Sequence, residues 1–143
     1  MIRTAFVLLS LALGATAAMA ETNPIAERQQ TMKAVSAATR EGAAMAKGDM
    51  PFDAGKAQSV FKTYADAAKK MPALFPDSSR SGGETTASPK VWEDQAGFKA
   101  AFAKFEADAE AGAKAGDLAD FRTAFGAATK NCGACHEAYR IKK

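Results

Sequence analysis

The 143-residue sequence has few of the side chains that bind transition metals or form disulfides, since it contains two cysteines and one histidine. These three residues stand together in the run Cys132-Gly133-Ala134-Cys135-His136. A structural zinc site takes about four such ligands, so this set is too small. A thioredoxin-type C-x-x-C motif sits near a βαβ pattern, and nothing β-like flanks this run. A disulfide within a continuous helix would be geometrically awkward.

The spacing C-x-x-C-H is instead the attachment signature of c-type haem. Each thiol can add across one vinyl group of the porphyrin, and the following histidine can ligate the iron. The run therefore predicts one covalent haem c, held by Cys132 and Cys135, with His136 as the proximal iron ligand. The alternative is a chance match in a helical bundle without haem that acts in protein interactions.

The sequence also lacks an apolar run of the roughly 20 residues that a membrane-spanning helix needs. Its N-terminus has Arg3, a short apolar segment over residues 5–13 and an A-x-A site ending at Ala20, the pattern of a secretory signal peptide. We predict cleavage after Ala20, a single domain over residues 21–143, no membrane insertion and a bacterial periplasmic location. Export suits haem attachment, which needs reduced thiols delivered outside the cytoplasm.

A strong excess of one charge is absent as well, because the formal net charge is +3. Such a balance argues against nucleic acid as a partner. Basic residues do cluster near the haem motif, namely Lys130, Arg140, Lys142 and Lys143. This cluster is either a helix end that suits the helix dipole or a docking patch for an acidic redox partner.

Apolar spacing and the positions of proline and glycine predict four helices. Their approximate bounds are 24–47, 53–71 and 89–116, and the fourth helix is expected to start near Asp117. Residues 72–88 contain two prolines and two glycines, which oppose regular structure. The third helix is expected to open at Pro89.

The last helix has an apolar seam with alternating spacings of three and four residues. It consists of Leu118, Phe121, Phe125, Ala128, Cys132, Cys135 and Tyr139. Both cysteines lie on this seam, and His136 is one turn beyond Cys132 on the same side. The chain is thus predicted to be all-α, an antiparallel four-helix bundle with haem covalently attached in its core. Trp92, Phe121 and Phe125 are expected in the core or pocket wall.

Three segments carry a resemblance to a known family: Arg28-Gln29-x-x-Met32-Lys33, Pro89-Lys90-Val91-Trp92 and Cys132-x-x-Cys135-His136-x-x-x-Arg140. On these residues the chain resembles the class II cytochromes c, the family that includes cytochrome c′, over its whole mature length. Class I cytochromes c place the haem motif near the N-terminus and a methionine ligand downstream. No methionine follows Met71 here, so class I does not fit.

The resemblance implies that Met32 faces the distal side of the haem. In cytochrome c′ proper the iron is often five-coordinate and high-spin, whereas in the low-spin branch a methionine here donates its sulfur. Residue counting also favours Met32, because Met45 lies about 220° further around the helix and should point away. Met50 falls in a turn, and Met71 ends the second helix. The alternative for Met32 is a core methionine that fills space.

The resemblance also implies roles around the haem edge. It places Arg28 and Gln29 near a propionate, and Arg140, four residues after His136, could shield that ligand. Thr86 and Ser88 precede Pro89, where the family loop can approach the haem. Family members often dimerise, so a homodimer is a further possibility.

The function expected from these residues is a periplasmic monohaem electron carrier with low-spin His/Met-ligated iron, whose partners are periplasmic redox proteins. It is not expected to be an enzyme, because a peroxidase-like site wants a distal acid–base group and the one histidine is already assigned to iron. The alternative is a five-coordinate cytochrome c′ that binds nitric oxide or carbon monoxide.

Overall fold

The computed structural model describes residues 23–141, so the predicted signal peptide, Lys142 and Lys143 lie outside it. Its α-helices are α1 (Pro24–Lys47), α2 (Ala54–Lys70), α3 (Lys90–Glu93), α4 (Gln95–Gly112) and α5 (Leu118–Tyr139). The four long helices form the predicted bundle, in which α2 packs against α1 and α4, and α5 against α4 and α1. Within residues 23–141, no helix is long and apolar enough to cross a membrane.

Each long helix begins at a side chain that accepts hydrogen bonds from otherwise unpaired backbone N–H groups. The capping residues are Asn23, Asp53, Asp94 and Asp117. At the other end of α1, Gly48 has a φ of 89° in the left-handed region, and its N–H bonds the carbonyls of Ala44 and Met45. The predicted first, second and fourth helices are confirmed.

The prediction of one helix over 89–116 is wrong, because the chain breaks at Asp94 (φ −123°, ψ 60°). The Asp94 carboxylate accepts the N–H of Gly97 at 3.0 Å and the hydroxyl of Tyr139 at 2.9 Å. A residue that caps a helix lies outside its regular hydrogen bonding, so Asp94 ends α3 and α4 begins after it. The apolar row that suggested one helix still faces the core at Phe98 and Phe105, while α4 ends at Gly112 rather than Gly116.

The prediction that residues 72–88 have no regular structure is also wrong in part. Short 3-10 turns form over Met71–Leu74 and Asp77–Ser79. The indole of Trp92 donates to the Phe75 carbonyl at 3.0 Å and so ties the first turn to α3. The segment is therefore held against the bundle.

The core is built on rings from α2, α4 and α5. Phe61 and Tyr64 are fully buried, with ring centres 5.6 Å from Phe121 and 5.3 Å from Phe105 respectively. The expected core positions Trp92, Phe121 and Phe125 are all buried.

Met45 is absent from the wall of the haem cavity described below, as the residue count suggested, but it does not face solvent, since its side chain is 0% exposed in the core. Because α1 packs against both α2 and α5, its inward face is wider than the single stripe assumed from the sequence.

Candidate haem site

A cavity of about 1,010 Å³ is bounded by α1, α4, α5 and the connection before α3. Its volume is at the top of the range, about 300–1,000 Å³, typical of ligand and cofactor pockets. Its wall brings together the eight predicted site residues from distant parts of the chain: Arg28, Gln29, Met32, Thr86, Cys132, Cys135, His136 and Arg140. Ser88 is not part of this wall, and its buried hydroxyl has no hydrogen-bond partner among the described residues.

The α5 wall presents the two thiols and the imidazole. Cys132 and Cys135 are free and half-buried, and burial raises the pKa of both thiols, so they are protonated at neutral pH. His136 stands at the exposed edge of this wall. Partial burial, and then the positive charge of Arg140, lower the pKa of His136. A neutral imidazole offers a metal the nitrogen lone pair that it needs.

The α1 wall presents Met32, which is partly buried, and one turn before it the buried Arg28. The Nη2 of Arg28 donates to the Ser79 carbonyl at 2.9 Å, and its guanidinium carbon lies 4.2 Å from the centre of the Phe75 ring. Its Nη1 is buried and has no partner among residues 23–141. Burial lowers the pKa of Arg28, an effect that an anionic partner would reverse.

These features fit haem c. A buried cationic donor without a partner is unfavourable, and a haem propionate would supply the missing acceptor. Apolar rings cover much of the remaining wall, as a porphyrin requires: Phe75, Phe98, Phe102 and Phe105. Two thiols and one imidazole on a single helix face could provide the covalent and axial attachments.

One end of the cavity is closed by hydrogen bonds between the connection and α5. Arg140 Nε donates to the Thr86 hydroxyl at 3.1 Å, and the Ile141 N–H to the Thr86 carbonyl at 2.8 Å. On α1, the Gln29 side-chain amide donates to the Glu84 carbonyl at 2.6 Å. The resemblance named Thr86 and Arg140 separately, and the structure joins them.

The sequence reasoning missed several residues at the site. Met71, the first residue of the 3-10 turn after α2, lines the cavity as a second methionine, and its place in the apolar spacing of the predicted second helix was the available signal. Asn131 also lines it and donates to Asp108 on α4 at 2.7 Å, which anchors α5 beside Cys132. Nothing in the local sequence around Asn131 indicated that contact.

A polar contact inside the core supports the α1 wall. Thr39 donates its hydroxyl proton to the Val35 carbonyl at 2.8 Å, so Tyr64 is the donor in its 2.7 Å bond to Thr39. Burial raises the pKa of Tyr64 to about 12, which keeps this donor protonated.

A four-helix bundle with C-x-x-C-H on a cavity wall defines a class II c-type cytochrome. The family model described as Cytochrome C' matches residues 23–140, and the chain belongs to this family. It is a monohaem c-type cytochrome, and its relatives carry covalently bound haem c.

The similar proteins come from bacteria. A cytochrome c' of Rhodopseudomonas palustris is 42% identical over 132 residues, which cover 92% of this chain and 90% of that protein. A cytochrome c-556 of Agrobacterium tumefaciens is 36% identical over 121 residues, which cover 83% of this chain and 98% of that protein. The solved structure of a cytochrome c' from R. palustris has a TM-score of 0.82 at 42% identity, and the match covers 86% and 99% of the two chains. Members of the family named cytochrome c' and cytochrome c-556 are thus both similar to this chain.

Proposed function

We propose that this cytochrome is a periplasmic electron carrier with two protein ligands on its iron. In this proposal Cys132 and Cys135 bind haem c, His136 is the proximal ligand and Met32 the distal ligand. The observation that carries the proposal is the position of Met32 on the cavity wall, partly buried, within the first half of the long, regular helix α1. Residues 1–20 act as the export signal, so the purified protein should begin at Glu21.

The other methionines are less suited to reach the iron. Met45 is fully buried in the core, and neither Met45 nor Met50 lines the cavity. Met71 does line it but is 5% exposed, because its side chain is packed into the core cluster. Met32 is the methionine whose side chain has space on the cavity side.

This arrangement suits electron transfer. Haem iron supplies the one-electron chemistry, and a thioether ligand favours its reduced state and raises its potential. The chain's own residues hold the group in place: Arg28 offsets a propionate charge, and the phenylalanine rings exclude water. If the one histidine of the sequence ligates iron, no histidine is left to act as a distal acid–base group toward peroxide, so we do not propose an enzyme.

The experiment that tests this proposal compares Met32→Leu with Met71→Leu in periplasmically matured protein. Leucine nearly conserves volume and removes the sulfur. The wild type and Met71→Leu should give sharp low-spin reduced spectra that carbon monoxide leaves unchanged. Met32→Leu should become high-spin and bind carbon monoxide. A Met32→Leu spectrum identical to that of the wild type would rule out Met32 as the ligand.

A second candidate function is a five-coordinate cytochrome that binds nitric oxide or carbon monoxide. It is favoured by the higher identity to a relative named cytochrome c', 42%, than to one named cytochrome c-556, 36%. In that case Met32 packs over the distal face without ligating the iron. A high-spin wild type whose reduced spectrum shifts with carbon monoxide would establish this function instead.

A further inference from the structure

We propose that the mouth of the haem cavity is a docking surface for an acidic face of a redox protein, formed by the exposed cations Lys33, Arg40 and Arg140. We call these three residues the cationic rim. The proposal deepens the electron-carrier function and rests on it, because it assigns the surface through which that carrier meets its partner.

All three cations of the rim line the cavity and are exposed. None of them forms an ion pair within residues 23–141. Arg40 Nη1 donates to the Ser36 hydroxyl at 2.9 Å, and Arg140 Nε donates to the Thr86 hydroxyl. Neutral acceptors therefore orient two of the three cations without cancelling their charge.

The lysines of α2 behave differently. All four form ion pairs: Lys56 with Glu41, Lys62 with Asp66, Lys69 with Glu106 and Glu110, and Lys70 with Glu27. The α2 surface is thus largely neutralised by its own neighbours. Of the acidic residues, Glu84 lines the cavity, and Glu137 is exposed next to His136. Neither forms an ion pair with the rim.

The haem propionates would not neutralise the whole rim. A propionate that supplied the missing partner of the Arg28 Nη1 would lie at that end of α1. Arg40 is twelve residues further along α1, a rise of about 18 Å, which exceeds the screening length of about 10 Å at 0.1 M salt. Arg40 and its neighbour Thr39 line the same cavity as Cys132. Positive charge would therefore remain on the part of the cavity wall that lies beyond the screening reach of a propionate at Arg28.

A cationic mouth with a redox centre behind it favours a partner with the opposite charge. Complementary charges raise the rate of encounter between proteins and orient the encounter, and salt weakens both effects. The partner that the cationic rim would bind is therefore a protein with a carboxylate-rich face.

The test measures reduction of the ferric holoprotein by two small reagents of opposite charge, the anionic iron(II)–EDTA complex and the cationic hexaammineruthenium(II) ion. The rim variant is Lys33→Gln/Arg40→Gln, and the matched control is Lys56→Gln/Lys62→Gln, which removes the same net charge from α2. At about 10 Å and 0.01 M ionic strength, losing two cations should slow the anionic reagent roughly tenfold. The cationic reagent should become faster. The control variant should change either rate less than twofold.

Poly-L-glutamate then serves as a probe for an acidic protein face. It should inhibit reduction of the wild type and of the α2 control, and inhibit the rim variant much less. Equal rates and equal inhibition for the rim and control variants would overturn the docking surface. A wild type that is high-spin and binds carbon monoxide, yet keeps the charge preference, would refute the carrier function while leaving the surface in place.

Discussion

Replacing Gly112 by alanine should destabilise the bundle, although alanine is the better helix former. A Cβ at this position would lie 2.4 Å from Phe61 Cε1 and within 2.7 Å of two further atoms of that ring. Phe61 is fully buried, with its ring against those of Tyr64 and Phe121, so it has no free space to move into. Overpacking a core costs about 1–3 kcal/mol, against a gain of at most about 1 kcal/mol in helix propensity. The free energy of unfolding should fall by about 1–2 kcal/mol.

Gly126 provides the matched control, because it lies inside α5 and an added Cβ would meet nothing within 4 Å. Gly126→Ala should therefore stabilise the protein by up to about 1 kcal/mol. Urea unfolding of both holoproteins, followed by far-UV circular dichroism, measures the two effects. With a urea m-value of about 2 kcal/mol/M, the Gly112→Ala midpoint should fall by roughly 0.5–1 M. A Gly112→Ala protein as stable as the wild type would refute the packing argument.

The remaining predictions concern polar contacts around the site. The Gly97 N–H and then the Tyr139 hydroxyl hold the pKa of Asp94 below its ordinary value, so the charged form stabilises the fold. That contribution is present above the unfolded pKa of about 3.9 and is lost as pH falls through the lower folded pKa. Asp94→Asn should thus lower the urea midpoint at pH 7, and the difference in midpoint from the wild type should become smaller at acid pH. The control variant Asp49→Asn, at an exposed residue in a turn, should leave the midpoint unchanged. Arg28→Leu leaves the buried Ser79 carbonyl unpaired and should cost about 1–3 kcal/mol of unfolding free energy. Arg122→Leu, which loses a bond from an exposed arginine to the Ala46 carbonyl, should cost less; equal losses would contradict the importance of burial.

The periodicity of apolar residues predicted those features that depend on the sequence of a single helix. The seam of α5 is such an element, since Phe121, Phe125, Ala128 and Tyr139 are buried as their spacing indicates. The break at Asp94 was not predictable in this way, because its second hydrogen bond comes from Tyr139, 45 residues later. A heptad row continues through the break in the sequence even though the helix does not.

In the site, too, local sequence patterns predicted some residues, whereas contacts between distant residues were not predicted. Motif spacing and resemblance named eight residues that share one cavity wall. The contacts that support them, such as Arg28 with Ser79 and Asn131 with Asp108, join residues 51 and 23 positions apart. Hydrogen bonds of this kind depend on how helices pack, and neither composition nor periodicity records that packing.

The choice between the two candidate functions depends on one side chain carried by a fixed support. Tyr64 holds α1 against α2 through Thr39, and Arg28 holds its N-terminal part against Ser79. The Met32 backbone lies between these two anchors, so its position changes little whether or not the sulfur binds iron. Ligation therefore depends on the side-chain rotamer and on how closely the surrounding rings confine it. A Thr39→Val variant tests this reasoning, because it removes the bond to Tyr64 and keeps Met32. If the anchor sets the reach of the sulfur, the fraction of carbon monoxide-binding protein should rise in this variant, and an unchanged fraction would show that the rings alone position Met32.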